Sequence, residues 1–218
     1  MNLGELIAQE VAYAEPVVTP RKRMMFLTVV ALIAIAILGV ITAFRQNANS
    51  EEGSGLPELY VVGDSLGVAT DPFIRQFAER DGVVYTFVGN SGASIDAGMA
   101  AVLEHRPSPH AVVLVALGTN DAIDNPARFA GFVEYVARFF VRYETYWINL
   151  YSPLSDENNS IIKEAADRWE HLHYVDWKTF ALEQNIEPVD GVHYDEAGTK
   201  LRAEFFYEIY SSVVERDD

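Results

Sequence analysis

Between Arg23 and Arg45 the chain reads MMFLTVVALIAIAILGVITAF (24–44), an apolar run without one charge. A helix of this length spans about 30 Å, the thickness of a bilayer core. A buried helix of a soluble protein would carry a polar face. A cleaved signal peptide would have a shorter apolar region and a small-x-small cleavage site. The run therefore predicts one transmembrane signal-anchor helix. Arg21, Lys22 and Arg23 precede it and Arg45 alone follows closely. The positive-inside rule then puts residues 1–23 in the cytoplasm and the larger C-terminal part outside, as a single-pass protein of the cell membrane.

Beyond the run, residues 45–57 are polar and rich in turn formers (QNANSEEGSGLP over 46–57), the pattern of a flexible linker. From residue 58 to about 215 short apolar runs alternate with helical spacing. Leu59–Val62, Val83–Val88, Ala111–Leu117, Thr145–Leu150 and His173–Val175 read as strands. The third, AVVLVAL, is apolar without alternation, as in a parallel sheet covered on both faces. Helices are predicted over 72–80, 95–103, 126–142, 159–169, 178–184 and 196–214. The long third helix, 126–142, has Pro126 at its first turn and a stripe of Phe129, Val133, Val136 and Phe140. The last helix shows Leu201, Phe205 and Ile209 at buried spacing. Strand–helix alternation predicts an α/β domain, a parallel sheet of about five strands between two helical layers.

Composition changes the picture in three ways. Half of the residues are hydrophobic and 12% aromatic, enough for a core and unlike a disordered chain. Cysteine is absent, which removes disulfides, Cys–zinc sites and a thiol nucleophile. The net charge is −16, and Glu5, Glu10 and Glu15 balance the three basic residues of the tail, so all of it falls on residues 45–218. Such a domain is no partner for nucleic acid, and it disfavours docking on anionic lipid headgroups.

Parallel sheets collect active residues in the loops at the carboxyl ends of their strands. Four polar clusters fall there. Gly63-Asp64-Ser65-Leu66 follows the first strand, where Ser65 is either a helix cap or a nucleophile beside a helix N-terminus. Gly89-Asn90-Ser91-Gly92 follows the second, as an ordinary glycine turn or a backbone donor at Gly92. Gly118-Thr119-Asn120-Asp121 follows the third: a turn, or a neutral amide donor at Asn120, with Asp121 capping the next helix or bracing Asn120. Asp190-Gly191-Val192-His193 precedes the last helix. His193 is either a solvated loop histidine or a base whose Nδ1–H is held by Asp190. Of the remainder, His171 and His173 lack carboxylate support for a metal, and His105 and His110 read as solvated. Trp147, Trp169 and Trp177 read as core or rim aromatics rather than sugar platforms.

Taken in order, G-D-S-L, a glycine block, G-x-N-D and D-x-x-H before a last helix, the set resembles the SGNH hydrolases, or GDSL esterases. The resemblance implies a three-layer α/β/α sandwich with a flavodoxin-like sheet. It implies Ser65 as nucleophile, His193 as general base and Asp190 as its orienting acid. It places the oxyanion hole at the N–H groups of Ser65 and Gly92 and the amide of Asn120. It implies neither cofactor nor metal.

A narrower likeness runs through G-A-S-I (92–95), A-L-G-T-N-D (116–121), V-D-W (175–177) and D-G-V-H-Y (190–194). These resemble the extracytoplasmic SGNH domains of bacterial peptidoglycan and polysaccharide O-acetyltransferases. Many of those follow a multi-helix acyltransferase part, which is not present in this sequence, so transfer would need a separate membrane partner as acyl supplier. The expectation is a membrane-anchored serine esterase or O-acyltransferase acting on O-acetyl or short acyl esters of cell-envelope glycans. Two other readings stand beside it: a lysophospholipase or thioesterase working on membrane lipids, which predicts an apolar groove beside Ser65, and a non-catalytic tethered binding module.

Overall fold

The computed structural model describes residues 55–121, 125–152 and 155–217. The predicted tail (1–23), transmembrane helix (24–44) and most of the linker lie outside the described residues. Among the described residues no helix is long and apolar enough to cross a membrane.

Five strands form one sheet: β1 (Leu59–Gly63), β2 (Tyr85–Gly89), β3 (Val112–Ala116), β4 (Thr145–Ile148) and β5 (Leu172–Val175). All neighbours are parallel, and the order is β2-β1-β3-β4-β5. This is the flavodoxin-like order, whose direction of winding reverses between β1 and β3 and leaves a crevice at their carboxyl ends. β1 and β3 are buried along their whole length, which is why they are continuously apolar in sequence.

The pleat sends alternate residues to opposite cores. Tyr60, Val62, Val113, Val115 and Trp147 point into one, where they meet α2 (Ile95–Glu104), α3 (Pro126–Phe139) and α4 (Asp156–Arg168). Leu59, Val61, Leu114 and Ile148 point into the other, against α1 (Ser65–Asp81), α5 (Trp177–Glu183) and α6 (Glu196–Asp217). The expected three-layer α/β/α arrangement is what the chain forms. The stripe Phe129, Val133, Val136 and Phe140 is buried as its spacing predicts.

Two elements differ from their sequence pattern. The first helix begins at Ser65, not near residue 72, because Asp64 caps it: its Oδ1 accepts the Leu66 N–H at 2.9 Å. Pro72 lies inside the helix on its exposed side, where the Val68 carbonyl that it leaves unpaired can reach water. In α6 the buried residues include Ala203, Phe206, Tyr207, Tyr210 and Val213 together with Arg202, while Leu201, Phe205 and Ile209 are only partly covered. The helix is rotated by about one position because tyrosine bodies and the arginine stem supply apolar area that residue polarity hides.

Candidate active site

Gly63 ends β1 in register with Gly89 of β2 and Ala116 of β3, so the loops after all three strands open at one level. Ser65 is the first residue of α1 and half-buried. The close fit behind it rests on small residues: a Cβ on Gly63 would lie 3.1 Å from the Cα of Gly67, and one on Gly67 would lie 2.9 Å from the Phe87 ring. The helix therefore sits hard against the sheet and fixes the serine at the strand end. The N–H of Ser65, at the positive end of α1, donates to no acceptor among the described residues.

His193 comes from a loop held at both ends. Val189 N–H donates to the His193 carbonyl at 2.7 Å. Asp190 Oδ1 accepts the N–H groups of Val192 and His193 at 2.9 and 2.7 Å, folding the loop back on itself. Tyr194 anchors the far side: it is buried, and its hydroxyl accepts the Trp177 indole N–H at 2.7 Å. Asp195 then caps α6 by accepting the Gly198 N–H at 2.8 Å. The turned loop brings Asp190 Oδ2 to 2.9 Å from His193 Nδ1, and His193 Nε2 to 2.9 Å from Ser65 Oγ. A carboxylate only accepts, so Nδ1 carries the proton and Nε2 is left to accept from the serine hydroxyl. The Asp190 carboxyl is held down at about 2, chiefly by the His193 N–H, then by the imidazole and the Val192 N–H. Both side chains are about half exposed (48% for His193, 56% for Asp190), so water reaches this face.

Asn120 and Gly92 stand on the other side of the crevice. The Asn120 amide donates to the Ala93 carbonyl at 3.0 Å and to Asp64 Oδ2 at 3.3 Å. The second contact is the longer, weaker one and the easier to exchange for another acceptor. Gly92 sits in a turn at φ +79°, a conformation that favours glycine, with open space around its Cα. Its N–H, like that of Ser65, has no acceptor among the described residues. Asp121 does not cap the helix after it, which Asn125 caps through the Arg128 N–H at 3.0 Å. Its carboxylate instead reaches back to the Ile95 N–H at 3.1 and 3.2 Å and ties the loop after β3 to the start of α2. Burial pushes the Asp121 carboxyl up.

Two residues matter here that sequence patterning did not single out. Asp64 is fully buried and joins the α1 cap to the Asn120 amide. Burial pushes its carboxyl up, opposed by the Leu66 N–H and by the charge of Arg202. Arg202 is buried with its guanidinium 5.0 Å from the Trp177 ring and 4.9 Å from that of Phe206, and its Nε has no partner among the described residues. Asp64 lay in the first polar cluster, but with the helix expected from residue 72 nothing in the sequence pattern marked it as a cap; Arg202 left no local signal. Elsewhere, His171 and His173 turn to separate partners, the Ala137 carbonyl at 2.8 Å and Glu144 at 2.7 Å. Trp147 and Trp177 are core residues, and Trp169 donates to Glu134.

No family model and no curated protein sequence matches this chain. Its fold does match solved structures. The C-terminal catalytic domain of peptidoglycan O-acetyltransferase A from Streptococcus pneumoniae superposes with a TM-score of 0.58 at 16% identity, covering 74% of this chain and 96% of that one. The acetyl xylan esterase AlAXEase gives 0.57 at 17% identity, over 70% and 98%. A lipase/acylhydrolase from Enterococcus faecalis gives 0.56 at 20% identity, over 72% and 97%. These neighbours are SGNH hydrolases, and the domain described here has their fold.

Proposed function

We propose that the chain is a serine esterase or O-acyltransferase working through an acyl-enzyme on Ser65. The observation that carries this is the unbroken run of contacts from Ser65 Oγ through His193 to Asp190, at 2.9 Å each. In this reading Ser65 Oγ attacks the ester carbonyl carbon while His193 Nε2 takes its proton, and Asp190 steadies the imidazolium. The oxyanion is met by the N–H groups of Ser65 and Gly92 and by the Asn120 amide, which trades its long contact to Asp64 for the developing charge. Collapse breaks the bond to the leaving alkoxide, which takes the proton from Nε2. Water or a sugar hydroxyl then attacks the acyl-Ser65 carbonyl, giving its proton to His193; collapse breaks the bond to Ser65 Oγ, which takes that proton back and releases the acid or the new ester.

The substrate we favour is an O-acetyl or short acyl ester on a cell-envelope glycan. Two features support a glycan over a lipid. The whole −16 charge lies on residues 45–218, most of it on the domain, and the pocket adjoining Asn120 is lined mainly by polar side chains rather than by an apolar groove. The uncharged run 24–44 supports a single membrane anchor with the catalytic domain outside, close to such a substrate. If the chain transfers rather than hydrolyses, a separate membrane protein supplies the acyl group. Labelling with a fluorophosphonate tests the nucleophile: the wild type should label stoichiometrically at Ser65, and Ser65→Ala should neither label nor turn over p-nitrophenyl acetate. Equal turnover by Ser65→Ala overturns the assignment.

A further inference from the structure

At the carboxyl end of β3, between the first turns of α2 and α3, lies a pocket of about 230 Å³. Asn120 belongs both to it and to the crevice beside Ser65, so a molecule filling the pocket abuts the side of the site where the oxyanion would form. The pocket's volume is that of about eight waters, room for one sugar ring.

Its lining is balanced between donors and acceptors. The Arg128 guanidinium lies 5.1 Å from the Phe132 ring, which backs it and holds it open to the pocket, and it makes no hydrogen bond or ion pair among the described residues. Asn125 uses its carbonyl oxygen to cap α3, and its amide hydrogens go to no acceptor among the described residues. Asp96 Oδ1 accepts the Ser94 hydroxyl and the Ala97 N–H, and Oδ2 has no partner among the described residues. These bonds hold the Asp96 carboxyl below its ordinary range, the Ser94 hydroxyl most of all.

This arrangement selects among ligands. An anion would meet Arg128 but also the carboxylates of Asp96 and Asp121. An acyl chain would strip water from Arg128 and Asp96 and return no hydrogen bonds. A neutral polyol suits both, because each hydroxyl donates and accepts at once. A vicinal diol can give a hydrogen bond to Asp96 Oδ2 and receive one from Arg128.

We infer that this pocket is a subsite for a neutral sugar ring, read by Arg128, Asp96 and Asn125, beside the esterified ring. The inference rests on the esterase reading above and narrows its substrate to a glycan gripped on the Asn120 side. The test uses the full chain carrying Ser65→Ala, so that binding is read without turnover. N,N′-diacetylchitobiose is titrated calorimetrically, with digalacturonate and decanoate as the anionic and acyl arms. Saturable chitobiose binding is expected, weakened at least tenfold by Arg128→Ala and by Asp96→Asn, two exposed positions whose folding is checked by tryptophan fluorescence. Absence of chitobiose binding, unchanged affinity in both variants, or tighter binding of digalacturonate or decanoate overturns the proposal. The two readings fail separately: labelling of wild-type Ser65 without sugar binding removes the subsite alone, and sugar binding without labelling removes the esterase.

Discussion

Substituting Gly89 by alanine tests the claim that the position of Ser65 is set from behind, by backbone packing at the ends of β1 and β2. Gly89 has φ +139°, which an L side chain rarely adopts, and a Cβ there would lie 1.8 Å from the Gly63 carbonyl oxygen and 2.9 Å from its carbon. To reach even a 3.0 Å separation, the Gly63 backbone must withdraw by roughly 1.2 Å. Backbone strain of this kind costs about 1–3 kcal/mol, and overpacking a tight contact costs about as much again. Together these are a large share of the ~5–15 kcal/mol that holds a domain folded. Gly63 precedes Asp64 and Ser65, so the displacement passes directly to the helix cap and the proposed nucleophile, where a 1 Å error can cost about a hundredfold in rate. Gly92→Ala is the control for the same glycine block. Its φ is +79° but nothing lies within 4 Å of the added Cβ, so only the left-handed penalty of about 1–2 kcal/mol applies. Urea unfolding followed by the fluorescence of buried Trp147 and Trp177 reads both. With a slope of ~1–3 kcal/mol per molar, Gly89→Ala should lower the midpoint by about 1–3 M and Gly92→Ala by less than about 1 M. The reasoning fails if the two midpoints coincide, or if Gly89→Ala labels with a fluorophosphonate at the wild-type rate.

Replacing His193 by alanine should slow acyl-enzyme formation by about a thousandfold or more with little change in the urea midpoint, since the ring is half exposed; stopped-flow hydrolysis of p-nitrophenyl acetate measures it. Asp190 is depressed from 3.8 to about 2, so its contribution to stability is present above the unfolded value and lost as pH falls through the folded one. Asp190→Asn should therefore be less stable than the wild type at neutral pH and converge with it only as pH falls below about 2, as acid titration of the urea midpoint will show. Asp121→Ala leaves the Ile95 N–H without its acceptor and should cost about 1–3 kcal/mol; chemical denaturation checks this, and an unchanged midpoint would mean that the loop after β3 is held by other contacts.

Much of the site was legible because its parts are local. The strand AVVLVAL announces burial on both faces, Gly, Ser and Asn stand where strand ends must be, and His stands in the loop before the last helix. Asp190 and His193 are three residues apart, and one Asx turn joins them. The rest depends on contacts between distant segments. Ser65 and His193 are 128 positions apart, and no local pattern states that they meet. The role of Asp121 was misread for the same reason: a capping carboxylate serves the nearest orphan N–H in space, here at Ile95, rather than the next helix in sequence.

By itself, then, the order of apolar and polar residues determined that this chain forms a parallel α/β domain with its chemistry at the carboxyl edge. That follows because periodicity fixes element type, and element alternation fixes sheet direction. It also determined the uncharged run that the anchor reading rests on. Only the tertiary structure decided the start of α1 at Ser65, the turning of α6 that buries Arg202 near Asp64, and the sharing of Asn120 between the crevice and a polar pocket. These outcomes come from packing, in which a polar residue is buried or exposed according to what surrounds it, and a residue's neighbours in space are not those in its sequence.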